Sequence, residues 1–253
     1  MKLLWELHSG LPREGPGSDE ATKRVLSLLP QRRFTRILDV GCGPGMQTLC
    51  LARCLAGNIV AVDNHQPYLD VLASNAKAEH FESRVETLNA SMDALPFDDG
   101  TFDLIWSEGA IYCMGFEQGL NLWRRLLTAN GIVVVSELTW LSSNLPEEAR
   151  RFWKRNYPAM ESLEGNTKLV AGSGYELLAT YLLPSKAWFR DYYDPLERRI
   201  DLLSEKYGRD AALLAELNAA REEIDLFRRY HNVYGYVFYA MQRGLLPEAK
   251  GTP

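Results

Sequence analysis

An α/β fold built on a doubly wound, mostly parallel sheet is what the sequence predicts, and three observations predict it. Apolar runs at 36–40, 58–62, 102–107 and 132–140 alternate with helical patterns in the order strand, helix, strand. The first run passes through Gly41-Cys42-Gly43-Pro44-Gly45 straight into a helical pattern at Met46, so a strand, a glycine turn and a helix form a ligand cradle. At 253 residues with 46% hydrophobic side chains, the chain supplies the core of one α/β domain plus a modest insertion. A single domain over 1–253 is expected.

Residues 1–17 end in LPREGPGS, whose prolines and glycines preclude regular structure. This stretch is open to two readings: a frayed terminus, or an arm folded over the mouth of a site with Trp5 and Leu11 as anchors. Ser18 is an N-cap, with Asp19 and Glu20 suiting the positive helix start and Ala21, Val25 and Leu28 following at helical spacing. Ile37, Leu38 and Val40 make the first strand, Met46–Ala56 a helix, and 58–62 the second strand, closed by Asp63. An amphipathic helix from Pro67 to His80 leads to a third strand at 84–89. The turn Asp98-Asp99-Gly100 introduces FDLIWS, the fourth, and a helix around Leu120 and Trp123 leads through Asn130-Gly131 into the β-branched fifth, IVVVSELTW. Pro146 opens another helix, and the runs at 175–184 and 233–242 read as sixth and seventh strands.

About fifty residues separate those last two runs, far more than a hairpin needs. Leu196, Ile200 and Leu203, then Leu213, Leu217, Ala220, Ile224 and Phe227, give two helices divided by Tyr207-Gly208. Residues 185–232 are therefore read as a helical cap inserted between strands six and seven, packed on the rim of the cleft. Trp188 and Tyr192 at its entrance either wall a substrate pocket or cement cap to sheet, and His231 is either a second base or a structural histidine.

The spacing of the glycines bears on the ligand. A dinucleotide fingerprint needs its third glycine five positions after the first; that position is Met46, and Gly45 comes one residue early. This disfavours an NAD-dependent oxidoreductase. Asp39 leads the turn, and Asp63 lies twenty positions after Gly43, the interval of an acid that accepts hydrogen bonds from ribose hydroxyls. Asp39-x-Gly41-x-Gly43-x-Gly45 followed by Asp63 resembles the first motifs of class I S-adenosylmethionine (SAM) dependent methyltransferases. The likeness covers roughly residues 35–140, with a looser match at 175–242.

The resemblance implies a Rossmann-like seven-stranded sheet, mostly parallel with the last strand antiparallel, and SAM as cofactor with S-adenosylhomocysteine as product. It places Asp39, Gly41, Gly43, Gly45, Gln47, Asp63 and Asn64 around the cofactor. The loop after the third strand resembles the adenine loop, with Asp93 accepting from the amino group and the Met92 backbone meeting the ring. Ligands sit beyond the carboxyl ends of strands in such sheets, so Ser107, Glu108, Gly109, Ala110 and Tyr112 are expected to face the transferred methyl group. Glu108 is read as general base or substrate anchor, or else as a helix cap, with Tyr112 beside it. Trp140, at the end of the fifth strand, is either core or pocket wall, like Trp188 and Tyr192. Ser-Glu-Gly-Ala replaces the Asn/Asp-Pro-Pro-Tyr/Phe of amino-methyltransferases of DNA and protein, and SEGAIYCMGFE is similar to a bacterial group of small-molecule methyltransferases related to the ubiquinone and menaquinone C-methyltransferases. A SAM-binding domain without catalysis is the alternative, because one scaffold carries many functions.

Composition narrows the partners. A net charge of −5 without a dense Lys/Arg run argues against a nucleic-acid substrate. Cys42, Cys50, Cys54 and Cys113 show no metal-ligand spacing and read as free thiols in a reducing cytoplasm. No apolar run approaches a membrane span, and the first residues turn polar too soon for a signal peptide. The expectation is a cytoplasmic monomer or homodimer acting on a small molecule without a metal.

Overall fold

The computed structural model describes residues 2–244; Met1 and residues 245–253 of the expected 1–253 domain lie outside the described residues. A short helix α1 (Lys2–His8) and α2 (Asp19–Leu26) precede the sheet. Ser18 caps α2 as its composition dictates, its Oγ accepting from the Ala21 N–H at 3.1 Å. The glycine- and proline-rich stretch is irregular, but the residues before it are not, since Leu3 and Leu7 stand four apart and are buried.

Then come β1 (Arg36–Val40), α3 (Met46–Cys54), β2 (Asn58–Asp63), α4 (Gln66–Ala78), β3 (Val85–Asn89) and β4 (Phe102–Ser107). No helix joins β3 to β4, so the strict alternation expected from the sequence breaks there; the loop 90–101 crosses instead. Helix α5 (Phe116–Trp123) leads to β5 (Leu127–Trp140), which begins five residues before the expected start and passes through Asn130-Gly131 as strand. Beyond it lie α6 (Glu147–Asn156), a two-residue β6 (Glu161–Ser162), α7 (Leu163–Gly172) and β7 (Tyr175–Leu182). Helix α8 (Lys186–Trp188) runs through a π-helical turn (Phe189–Tyr193) into α9 (Asp194–Lys206); α10 (Ala211–Tyr230) and β8 (Tyr234–Arg243) complete the chain.

The strand order is β3-β2-β1-β4-β5-β8-β7, with β6 pairing on β5 as an eighth, minimal strand. The first five strands of that order are parallel, and β8 runs antiparallel to β5 and β7. The order reverses between β1 and β4, the crevice where doubly wound sheets bind ligands. Central strands are apolar on both faces, as a sheet covered by helices on both sides requires: Ile37, Leu38, Leu104, Ile105, Val133 and Val134 are fully buried. The helices between β7 and β8 pack through Leu196, Ile200, Leu217, Ile224 and Phe227 into the same core cluster as Leu3 and Leu7 of α1. Among the described residues no helix is long and apolar enough to cross a membrane.

Candidate active site

The loops that follow β1, β2, β3 and β4 converge on one cavity of about 440 Å³. Its floor is the glycine turn. The N–H groups of Gly41 and Cys42 both donate to the Val62 carbonyl, at 2.8 and 3.0 Å, tying the turn to β2. Gly41 holds φ +70°, and a Cβ there would overlap that of Ala110, so backbone angle and space both demand glycine. Asp63 fastens the turn from the other side: its Oδ2 accepts from the Gly43 N–H and its Oδ1 from the His65 N–H, each at 2.9 Å. The Gln47 amide donates to the Cys42 carbonyl at 2.9 Å.

Of the residues expected at the cofactor, Gly41, Gly43, Gln47, Asp63, Asn64, Met92 and Asp93 line this cavity. The Met92 carbonyl is held by the Trp123 indole N–H at 2.9 Å, which fixes the loop after β3. Three expected contacts lie elsewhere. Asp39 is fully buried behind the turn, where its Oδ2 accepts from Thr48 at 2.6 Å and its Oδ1 has no hydrogen-bond partner among the described residues. Burial raises its carboxyl to about 7, against the Thr48 hydrogen bond and with help from the negative charge of Glu108. Gly45 faces α4: at φ +90° a Cβ would overlap the Leu72 side chain. The Ser107 hydroxyl is buried inside the sheet without a partner.

Glu108 and Tyr112 line the cavity as expected, and Tyr112 packs edge-on against Tyr157 with ring centroids 6.0 Å apart. Glu108 is not a free base. Its Oε1 accepts from Thr22 at 2.7 Å and from the Trp106 indole at 2.9 Å, and its Oε2 from Arg13 at 3.1 Å. The Arg13 and Glu108 side chains are only 4% and 3% exposed, a buried ion pair in which both Glu108 oxygens accept hydrogen bonds. Glu108 therefore fastens the N-terminal stretch to the end of β4.

That stretch is an arm over the mouth. Trp5, His8, Arg13, Glu14, Gly15 and Pro16 all line the cavity. Trp5 stacks on His65 with ring centroids 3.8 Å apart and planes 2° from parallel, and Leu11 is buried. Of the two readings of residues 1–17, the structure shows the folded arm. His8, Arg13 and Glu14 were not singled out by the sequence reading, since nothing local distinguishes them; His8 Nδ1 lies 2.8 Å from Glu14 Oε2.

The aromatic residues expected to wall the substrate pocket do not line this cavity. Trp188 is core, stacked on Phe227 at 3.9 Å and on Tyr236 at 5.2 Å, because the π-helical turn folds back onto the sheet. Trp140, the last residue of β5, packs against its cross-strand partner Tyr234 with ring centroids 6.0 Å apart. Tyr192 borders a second cavity, of about 210 Å³. His231 is an exposed residue at the end of α10. Glu137 on β5 is 1% exposed, and burial raises its carboxyl to about 8, against a hydrogen bond from Tyr157.

Comparison with known proteins agrees with this geometry where the glycine turn and the strand ends lie. Residues 37–131 match the family model of a methyltransferase domain. The chain is 33% identical over 124 residues to a malonyl-(acyl-carrier protein) O-methyltransferase of Pseudescherichia vulneris, covering 49% of this chain and 46% of that protein. The corresponding protein of Salmonella typhimurium is 31% identical over 131 residues, 51% of this chain and 48% of that one. The chain thus spans about half the length of the curated relatives it matches. Over nearly its whole length it shares the methyltransferase fold: a Geobacter sulfurreducens SAM-dependent methyltransferase solved with S-adenosylhomocysteine aligns at TM-score 0.81, 20% identity, covering 95% of this chain and 97% of that one. A solved 4+2 cyclase aligns at TM-score 0.75 and 21% identity, covering 97% and 93%, so this methyltransferase fold also carries other chemistry.

Proposed function

We propose that the chain is a SAM-dependent methyltransferase acting on a small-molecule acceptor. The observation that carries this reading is the Asp63 carboxylate, bonded to the Gly43 N–H at 2.9 Å beside a cavity formed where four parallel strands end. The methyltransferase-domain match over 37–131 supports it, and so does the fold shared with a protein solved with S-adenosylhomocysteine. The residues fit the cofactor: glycines at the turn leave its backbone open, Asp63 keeps lone pairs for hydroxyl donors, and Met92 and Asp93 stand at the far end.

SAM, when bound, supplies a methyl group already activated on a sulfonium. What remains for the protein is to align, to exclude water and to accept a proton. In our reading Gly41, Gly43, Asp63, Asn64 and Asp93 hold the cofactor, while the arm from Trp5 to Pro16 closes the cavity against solvent. Glu108 acts as a positioning residue, neutralising Arg13 and keeping the arm down. His8 takes the role first expected of Glu108: it lines the cavity on the arm, with the Glu14 carboxylate 2.8 Å from its Nδ1, and Nε2 is the proposed proton acceptor. Tyr112 stands opposite. The likeness of residues 107–117 to quinone C-methyltransferases keeps quinone precursors among the acceptors to screen, beside amines, phenols and carboxylates.

Calorimetric titration of the whole chain with SAM, S-adenosylhomocysteine and NAD tests the reading. Micromolar binding of the first two, without NAD, is expected. Binding of NAD alone would overturn it, and SAM binding without turnover across the screen would leave a SAM-binding domain lacking catalysis.

A further inference from the structure

The second cavity has a chemistry of its own. Its walls come from α1 (Leu3, Leu7, His8), from the π-helical turn and the start of α9 (Tyr192, Leu196), and from α10 (Glu216, Ala220, Glu223). Glu216, Ala220 and Glu223 stand at i, i+4 and i+7, one face of α10. The lining is aliphatic on the α1 and α9 sides and acidic on the α10 side, and no lysine or arginine is part of it. Its one hydrogen-bonded acid is Glu223, whose Oε1 accepts from the Tyr193 hydroxyl at 2.9 Å. Among the described residues its Oε2 has no protein partner. The π-helical turn places Tyr192 on the cavity wall and Tyr193 on that carboxylate, and such turns interrupt helices most often where a function needs the altered side-chain direction.

His8 belongs to the walls of both cavities. The two cavities thus adjoin at the imidazole, with Leu3, Leu7 and Leu196 on the far side of it. A largely apolar chamber whose half-buried wall carboxylate has one oxygen free of protein donors selects against anions, which that negative charge repels. A protonated amine satisfies it best, adding charge to the hydrogen bond. Burial raises the Glu223 carboxyl above the ordinary carboxylate range, opposed first by the Tyr193 hydrogen bond, and a cation bound at the free oxygen would oppose that rise further.

We infer that this second cavity is an acceptor subsite for a small apolar molecule bearing an amine, with Glu223 as its anchor and the α1–α9–α10 walls as its fit. The inference rests on the methyltransferase reading proposed above. It is tested by calorimetric titration of the whole chain, saturated with S-adenosylhomocysteine, with phenethylamine and with its carboxylate counterpart 3-phenylpropionate. The amine is expected to bind at least tenfold more tightly than the carboxylate. Glu223→Gln, nearly isosteric, should shrink that preference below threefold without moving the affinity for S-adenosylhomocysteine, and Ala220→Trp, which fills the chamber, should abolish amine binding. Equal affinity for the two probes, or an undiminished preference in Glu223→Gln, would overturn the inference while the cofactor reading stood. Failure of S-adenosylhomocysteine itself to bind would remove the cofactor reading, and this inference with it.

Discussion

Replacing Asp63 by alanine removes the one side chain that ties the glycine turn to the end of β2. Two charge-assisted hydrogen bonds disappear, from Gly43 N–H and His65 N–H, each 2.9 Å long. Such bonds are worth about 1.5–3 kcal/mol apiece when buried. Asp63 is half-buried at the cavity edge, where water replaces part of the loss, so about 2–3 kcal/mol of local order is the expected sum. The proposed ribose contact adds about 1.5–3 kcal/mol to cofactor binding. The combined effect on affinity should be a fall of at least 10- to 100-fold. Calorimetry with S-adenosylhomocysteine reads it directly, with thermal unfolding in parallel to show that the variant is folded. Asp63→Asn retains an acceptor oxygen and should lose less. A folded Asp63→Ala protein that binds within threefold of the parent would refute both the ribose assignment and the claim that this carboxylate sets the turn.

Three further outcomes follow from other parts of the site. Arg13→Ala leaves Glu108 buried with only neutral donors and should cost about 3 kcal/mol in urea unfolding; adding Glu108→Gln should recover more than half, and a double variant as unstable as the single one would contradict the pairing. Gly45→Ala should cost about 1–2 kcal/mol for its left-handed φ of +90° and about 1–3 kcal/mol for overlap with Leu72; a double-mutant cycle with Leu72→Ala should return the overlap part as coupling energy, and zero coupling would show that the turn relaxes instead. Burial raises Glu137 from 4.5 to about 8, so the folded chain holds a proton there that the unfolded chain has lost. Its contribution to stability is therefore complete below pH 4.5 and declines as pH rises from there to about 8, by about 5 kcal/mol in all. Glu137→Gln should remove that decline, and superimposable stability–pH curves for parent and variant would deny it.

What the sequence made legible is local. The strand runs, the glycine turn and the twenty-residue interval to Asp63 depend on neighbours in the chain and on the period of strand and helix, and the sheet carries them where the pattern puts them. The insertion between β7 and β8 was legible for the same reason, since its two apolar faces repeat at helical spacing. Asp39 and Gly45 show the limit of that logic. Both occupy their motif positions, yet the turn directs Asp39 at Thr48 and Gly45 at Leu72, so a motif position marks what builds the cradle as well as what touches the ligand. The two readings open for the aromatic residues divide between them: Trp188 is core, stacked on Phe227, while Tyr192, in the π-helical turn, borders the second cavity.

The arm was the least legible part because its anchors are distant. Arg13 is 95 residues from Glu108, and Glu6 is 193 from Arg199, whose guanidinium donates to the Glu6 carbonyl. No spacing rule joins such pairs. Yet the arm changes the meaning of a residue that the sequence did mark. Glu108 follows a strand end at the switch point, where a base would be sought, and three donors from three different elements converge on it. A carboxylate so engaged is poorly placed to take a proton in each cycle, but well placed to hold the arm through Arg13. In the proposed mechanism proton transfer falls to a group on the arm, His8, which borders both cavities and lies 2.8 Å from Glu14. Arg13, which pairs with Glu108, and His8 lie only five residues apart in the chain, so the proposed latch and the proposed base share one arm.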